Sequence, residues 1–134
     1  MNVKNPFLDT NVLVYAYSDD RRTRVAQDLL AEGGTIGVQQ LNEFVSVAQR
    51  KLRRPWKEIV SAITDIQIFC PDPKPITLAT HKSALRISER YRYSIYDSLV
   101  IAAALASSCD VLYSEDLKDG QEIENLTIEN PFRS

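Results

Sequence analysis

Short apolar runs alternate with longer stretches of helical spacing along this chain, and this alternation constrains its fold most. The runs predicted as strands cover residues 6–8, 35–38, 66–70, 111–113 and 126–128. Between them, apolar residues recur every three or four positions, as in Leu41, Phe44, Val45 and Ala48, which indicates amphipathic helices. Strands that alternate with helices indicate a parallel sheet covered by helices on both faces. The sequence therefore predicts an α/β fold around a central parallel sheet of about four to five strands.

The length of 134 residues predicts one domain, over residues 1–134. The sequence has no apolar run of about 18 residues and no N-terminal signal pattern, so we expect a cytoplasmic protein without a membrane partner. Cys70 and Cys109 have no metal-ligand spacing, which favours two buried, reduced thiols. The single histidine, His81, shares a predicted helix face with Ala84 and Leu85, which favours packing over a role as general base.

The net charge of −2 gives no overall basic field, but the basic residues are clustered. One cluster covers residues 50–57 without any acid, a second includes Arg86, Arg90 and Arg92, and a third covers residues 21–24. Basic patches around an acidic pocket fit a metal enzyme that acts on a polyanion. The alternative is that these side chains complement helix dipoles and keep the surface soluble.

Four acidic residues lie at boundaries between the predicted elements. Asp9 and Asp116 each follow a strand, Glu43 lies in the first turns of a helix, and Asp97 begins the alanine-rich helix near residues 99–106. Ligands of open parallel sheets bind at the carboxyl ends of the strands, and all four acids are expected at that edge. Ordinary structural roles remain open for each: a helix cap for Asp9, solvent exposure for Glu43, a capping box with Ser94 for Asp97 and a turn for Asp116.

Four short motifs follow one another along nearly the whole chain. They are Asp9-Thr10-Asn11, Asn42-Glu43-Phe44, Tyr96-Asp97 and Ser114-Glu115-Asp116. In this order and at these separations they resemble the PIN domain family, and more narrowly the VapC-type toxin ribonucleases of type II toxin–antitoxin pairs. No single motif is specific, whereas the series of four is. The family often has another acid soon after the fourth motif; here Lys118 intervenes and Asp119 is shifted by one position, which disfavours Asp119 as a ligand.

The resemblance implies a three-layer α/β/α sandwich and a divalent-metal-dependent endoribonuclease that inhibits translation by cleaving RNA. It implies Mg²⁺ or Mn²⁺ as cofactor, and products with 5′-phosphate and 3′-hydroxyl ends. The partners it implies are the RNA substrate, a small cognate antitoxin protein and a second copy of the chain in a homodimer.

Oxygen ligands suit this chemistry, because Mg²⁺ and Mn²⁺ are hard ions that bind one or two carboxylates and keep several waters. We predict Asp9 and Asp97 as direct metal ligands, with Glu43 and Asp116 binding directly or through water. The residues expected to orient these carboxylates are Thr10, Asn11 and Ser114. The candidate RNA-binding residues are Arg50, Arg53, Arg54, Arg86 and Arg92.

Three alternatives remain at this point. An RNA-processing housekeeping nuclease of the same family would share the site, and only the neighbouring gene would separate it from a toxin. A non-catalytic interaction module of the same fold would tolerate the loss of acids, yet all four are present. A haloacid-dehalogenase-type phosphatase would need an acid two positions after Asp9, where this chain has Asn11.

Overall fold

A four-stranded sheet lies between two layers of helices in the computed structural model, which describes residues 4–133. The helices are α1 (Thr10–Ala16), α2 (Thr23–Glu32), α3 (Val38–Arg50), α4 (Trp56–Phe69), α5 (Leu78–Tyr91) and α6 (Ile95–Ala106). The strands are β1 (Pro6–Leu8), β2 (Val111–Tyr113), β3 (Glu122–Ile123) and β4 (Leu126–Glu129), in the sheet order β1-β2-β4-β3. The predicted α/β fold is confirmed.

The parallel pairing of β1, β2 and β4 places their carboxyl ends at one edge of the sheet. Leu8 pairs with Tyr113, and Tyr113 pairs with Glu129. The residues that follow β1 and β2, Asp9 and Ser114, therefore leave the sheet side by side. This is the edge at which ligands bind in open α/β sheets.

Alternate residues of the strands face two separate cores, as strand geometry requires. On one face, Leu8 of β1 and Tyr113 of β2 pack with helices α1 to α4. On the other face, Phe7 and Leu112 pack with α5 and α6. Five of the twelve residues of α6 are buried, and among these Ile101 and Ala104 are fully buried.

The first turns of α5 and α6 are stabilised by capping bonds. Ser94 Oγ accepts a hydrogen bond from the backbone N–H of Asp97 at 3.2 Å, and Thr77 Oγ1 accepts one from Thr80 at 3.2 Å. These bonds satisfy N–H groups that have no partner within the helix.

Two predicted strands are wrong, and one strand was missed. Residues 66–70 complete α4 and its C-cap, because Ile59, Ala62 and Ile66 form one buried helical face. Residues 35–38 contribute only two isolated bridges, from Thr35 to Phe7 and from Gly37 to Lys74. The sheet is also mixed, since β3 pairs antiparallel with β4 at its edge. A strand of two residues is too short to show a periodic sequence pattern.

The two cysteines are buried and unpaired, as predicted. The packing role expected for His81 is wrong, because His81 and its neighbour Leu85 are both exposed. Among residues 4–133, no helix has the length and apolar character needed to cross a bilayer.

Candidate active site

Asp9 carries a buried carboxylate at the carboxyl end of β1. Its backbone N–H donates to the carbonyl oxygen of Tyr113 at 3.0 Å, which fixes it beside the end of β2. Its Oδ1 accepts from the N–H of Thr10 at 2.7 Å, and its Oδ2 accepts from Ser114 Oγ at 2.7 Å. Asp9 is thus the N-cap of α1, as its ordinary structural role requires, and also a carboxylate held rigidly at the sheet edge.

Ser114 connects Asp9 to the other polar groups of this edge. Its fully buried hydroxyl donates to Asp9 and accepts from Asn11 Nδ2 at 3.3 Å and from the N–H of Asp116 at 3.2 Å. A hydroxyl offers one donor and two acceptor positions, so all three are used. The orientation of the Asp9 carboxylate therefore depends on Ser114.

Glu43 and Asp116 adjoin Asp9 through the two residues that follow it. Thr10 Oγ1 donates to Glu43 Oε1 at 3.0 Å, which ties α3 to the start of α1. Asn11 Nδ2 donates to Asp116 Oδ2 at 3.3 Å. The structure thus brings together three of the four predicted acids and all three of the predicted orienting residues.

Burial raises the pKa of the Asp9 carboxyl to about 6. The hydrogen bonds from Ser114 and Thr10 act in the opposite direction, and the charges of Asp116 and Glu43 raise the pKa further. The carboxylate thus carries a charge that its surroundings incompletely compensate, a property typical of functional sites.

Asp97 lies in the first turn of α6, where it is half-buried. Its neighbours Tyr96 and Leu99 line a small pocket together with Glu43, so α6 adjoins α3 at this edge. Within residues 4–133, no three acidic, histidine or cysteine side chains form a ready-made metal-binding group. An ion that keeps most of its waters needs only one or two direct carboxylates, and every donor here is an oxygen, so these residues fit a hydrated Mg²⁺ or Mn²⁺.

A cleft of about 590 Å³ extends from these acids between α1 and α3. Five acids line it: Glu43, Asp116, Asp19, Asp20 and Glu115. Three lining residues, Glu43, Val47 and Lys51, lie four positions apart on α3 and its C-cap, so an acid and a lysine are about 12 Å apart along this side of the cleft.

The PIN domain family model matches residues 7–119 of the sequence, which include every residue of the site described above. This match covers most of the chain. The chain belongs to the PIN domain family. No curated protein matches it significantly in sequence.

Solved structures of toxins similar to this PIN domain share its fold. The toxin–antitoxin complex from Klebsiella pneumoniae has a TM-score of 0.70 at 16% identity, covering 97% of this chain and 100% of that one. VapC20 of Mycobacterium tuberculosis, described as a Sarcin-Ricin loop cleaving toxin, has a TM-score of 0.68 at 20% identity, covering 84% and 90%. VapBC2 from Rickettsia felis, bound to a DNA fragment from their promoter, has a TM-score of 0.61 at 20% identity, covering 93% and 97%.

The arginines predicted to bind RNA in this PIN domain are all exposed, but they lie in two places. Arg50, Arg53 and Arg54 surround the end of α3, next to Lys51, which lines the cleft. Arg86 lines a different cavity on α5, and Arg92 is the C-cap of that helix. Only the first group adjoins the cleft that contains the acids.

Asp119 contacts the end of the described chain. Its carboxylate accepts from the N–H of Asn130 at 2.8 Å and from Arg133 at 2.8 Å, and these two groups lower its pKa. Asp119 is therefore engaged with a neighbouring segment. This agrees with the departure from the family pattern at Lys118.

Sequence reasoning did not predict the contacts of three residues beside the site, Tyr15, Arg22 and Glu115. The sequence indicated only that Arg22 belongs to a basic cluster and that Glu115 is the middle residue of the fourth motif. Their contacts join residues about 100 positions apart, as in the Tyr15–Glu115 pair, and no local spacing predicts such a contact.

Ser114→Ala is expected to destabilise the metal-free protein more at pH 8 than at pH 5. The hydroxyl makes a charge-assisted hydrogen bond to ionised Asp9, and such bonds contribute about 1.5–3 kcal/mol, whereas below pH 6 the carboxyl is protonated. Urea unfolding at both pH values measures the change in the free energy of unfolding. Ser107→Ala, which removes a hydroxyl bonded only to a helix carbonyl, is the control and should show no such pH dependence. If Ser114→Ala lowered the free energy of unfolding equally at both pH values, Ser114 would not make a charge-assisted hydrogen bond to Asp9.

Proposed function

We propose that this PIN domain, over residues 1–134, is a divalent-metal-dependent endoribonuclease and the toxin of a toxin–antitoxin pair. The observation that carries this proposal is the buried carboxylate of Asp9, oriented by Ser114 and flanked by Glu43 and Asp116. The fold shared with VapC toxins supports it.

In this proposal, Asp9 and Asp97 hold Mg²⁺ or Mn²⁺ directly, and Glu43 and Asp116 bind it directly or through water. When bound, such an ion supplies Lewis-acid chemistry, which makes water more acidic and stabilises negative charge on the phosphodiester. Thr10 holds Glu43, Asn11 holds Asp116, and Ser114 holds Asp9, so each hydrogen bond reduces the reorganisation needed for catalysis.

The charge of the cleft indicates how RNA and a protein partner would bind. Five acids line the cleft, and Arg22 neutralises two of them. The remaining negative charge repels the phosphate backbone unless a cation is present, whereas Lys51 and the arginines around the end of α3 attract it. The same acids suit a basic side chain of an antitoxin that blocks the site. We propose a cytoplasmic toxin that forms a homodimer and is inhibited by a small cognate antitoxin.

The test is cleavage of RNA by the purified protein with Mg²⁺, Mn²⁺ or a chelator. We expect cleavage at discrete positions with either metal, none with the chelator, and fragments with 5′-phosphate and 3′-hydroxyl ends. Asp97→Asn should raise the Mn²⁺ concentration needed for half-maximal cleavage about tenfold or more, because a direct carboxylate ligand is lost.

The control for this experiment is Asp28→Asn, which changes an exposed acid on α2 and should cleave like the wild type. A folded wild-type protein that cleaves no RNA from total RNA, with either metal, would overturn the proposed function. Unchanged metal dependence in Asp97→Asn would remove Asp97 from the ligand set and leave the nuclease proposal standing.

A further inference from the structure

Four residues beside the acidic site form a compact cluster, which we call the Arg22 cluster: Tyr15, Asp20, Arg22 and Glu115. Arg22 Nη1 donates to Glu115 Oε1 at 2.7 Å, while its Nε and Nη2 donate to the two carboxylate oxygens of Asp20 at 2.8 Å each. The guanidinium carbon lies 4.1 Å from the centre of the Tyr15 ring. The cluster joins α1, the loop before α2 and the turn after β2.

The contacts of Arg22 leave it little capacity to bind anything else. Its N–H donors point to the carboxylates of Glu115 and Asp20, and the guanidinium plane lies over the ring of Tyr15. The side chains of Arg22 and Glu115 are each 24% exposed, and that of Asp20 is 28% exposed. Bidentate, networked and partly buried ion pairs are those that fix geometry, in contrast to isolated surface pairs.

Tyr15 reinforces the position of Glu115. Its hydroxyl donates to the second carboxylate oxygen, Oε2. Burial and this hydrogen bond raise the pKa of Tyr15 to about 12, so the hydroxyl stays protonated and remains a donor. The ring also packs edge-on against Phe132, with centroids 5.0 Å apart, which fixes the tyrosine itself.

Glu115 lies between the two residues of the turn that reach the site, Ser114 and Asp116. Its backbone N–H donates to Asn11 Oδ1 at 3.2 Å, and Asn11 in turn donates to Asp116. Asp116 is exposed, so solvent alone would leave its carboxylate free to move. The side chain of Glu115 is bound by Arg22 and Tyr15, and its backbone N–H is bound by Asn11. Together these contacts fix the turn that carries Asp116.

We propose that Arg22 is a positioning residue that holds Glu115, and through it Asp116 and Asn11, in the arrangement required for RNA cleavage. This inference rests on the proposed nuclease function. Arg22 also neutralises two cleft carboxylates, Asp20 and Glu115, that would otherwise be unpaired beside Asp116. Removing Arg22 therefore disturbs the geometry of the site while making the cleft more negative.

The expected signature is a loss of kcat without weaker metal activation. Arg22→Ala should lower kcat roughly ten- to a hundredfold, the range typical of a displaced catalytic group. The Mn²⁺ concentration for half-maximal activity should stay within about threefold of the wild-type value, because the added negative charge attracts the cation. A merely structural effect would instead lower activity in proportion to the folded fraction, which thermal unfolding measures.

Arg22→Lys separates charge from geometry. Lysine keeps the positive charge but lacks the planar fork that binds two carboxylates, so it should fail to restore kcat. Glu115→Gln should produce a similar loss, and the double variant with Arg22→Ala should lose little more, since both changes break one connection. If Arg22→Ala fails to fold, Tyr15→Phe, which removes a single hydroxyl, should still lower kcat severalfold.

The control is Arg24→Ala, which removes an exposed arginine two positions further along, in the first turn of α2, and should retain the wild-type kcat. The inference would be overturned by any of three results. The first is a wild-type kcat in Arg22→Ala and Glu115→Gln, the second is full rescue of kcat by Arg22→Lys, and the third is a double variant in which the two losses of kcat multiply. A wild-type protein that cleaves no RNA would instead refute the proposed function, so the two failures are distinguishable.

Discussion

Asp9→Asn is expected to lower the rate of RNA cleavage by the purified protein at least about a thousandfold. The carboxylate is the most buried of the acids at the site, and an amide cannot replace its charge as a ligand for a hard cation. Asparagine has nearly the same shape, and its carbonyl oxygen can still accept from the N–H of Thr10, so α1 should keep its cap. The measurement is single-turnover cleavage of a labelled RNA with Mn²⁺, with circular dichroism to establish that the variant is folded.

Asp28→Asn makes the same chemical change at an exposed position of α2 and should cleave at the wild-type rate. If folded Asp9→Asn cleaved RNA within tenfold of the wild type, Asp9 would not bind the catalytic metal, and its burial would have only a capping role.

Without metal, the stability of Asp9→Asn relative to the wild type is expected to rise as the pH increases from 4 to 7.5. In the folded protein the pKa of Asp9 is about 6, whereas the unfolded chain has a value near 3.8. Between these values the folded state binds more protons, so the free energy of unfolding falls as pH rises and reaches its lower level above pH 6. The difference of about two pKa units corresponds to a loss of about 3 kcal/mol, which asparagine avoids.

Urea unfolding of both proteins at several pH values between 4 and 8 measures this difference, first with a chelator and then with Mn²⁺. A metal that binds only the folded state should stabilise the wild type by about 2.7 kcal/mol at a hundred times its Kd, and Asp9→Asn far less. A pH-independent difference between the two proteins, or an equal response to Mn²⁺, would show that Asp9 does not carry an uncompensated charge in a metal site.

The sequence predicts the positions of Asp9 and Asp116 at strand ends because covalent neighbours determine them. A short apolar strand followed at once by an acidic residue and the start of a helix places that acid at the end of the strand. The register of β1 against β2 then brings Asp9 next to Ser114, as expected for parallel strands that share an edge. The sequence singles out Glu43 by its place in the first turns of a predicted helix, and the resemblance to PIN domains supports it. Its contact with Thr10, however, spans 33 positions and leaves no local sequence pattern.

The two wrongly predicted strands are segments in which tertiary contacts override the local sequence pattern. In residues 66–70 the alternation of Ile66, Ile68 and Cys70 resembles a strand, but Ile68 is 69% exposed and the segment continues the helix begun at Trp56. Likewise, the apolar residues 35–38 are divided between two bridges and the start of α3. Short apolar runs do not distinguish a buried strand from the last turn of a helix.

The hydroxyl of Ser114 restricts the route of the reaction. A serine that donates to a carboxylate resembles the nucleophile and base of a covalent catalyst. Here, however, the hydroxyl is fully buried and both of its acceptor positions are occupied, so a phosphorus atom has no approach to it. In the proposed nuclease, this serine is therefore excluded as the nucleophile, and attack by water would be a single displacement. One displacement inverts the configuration at phosphorus, whereas a covalent intermediate would preserve it.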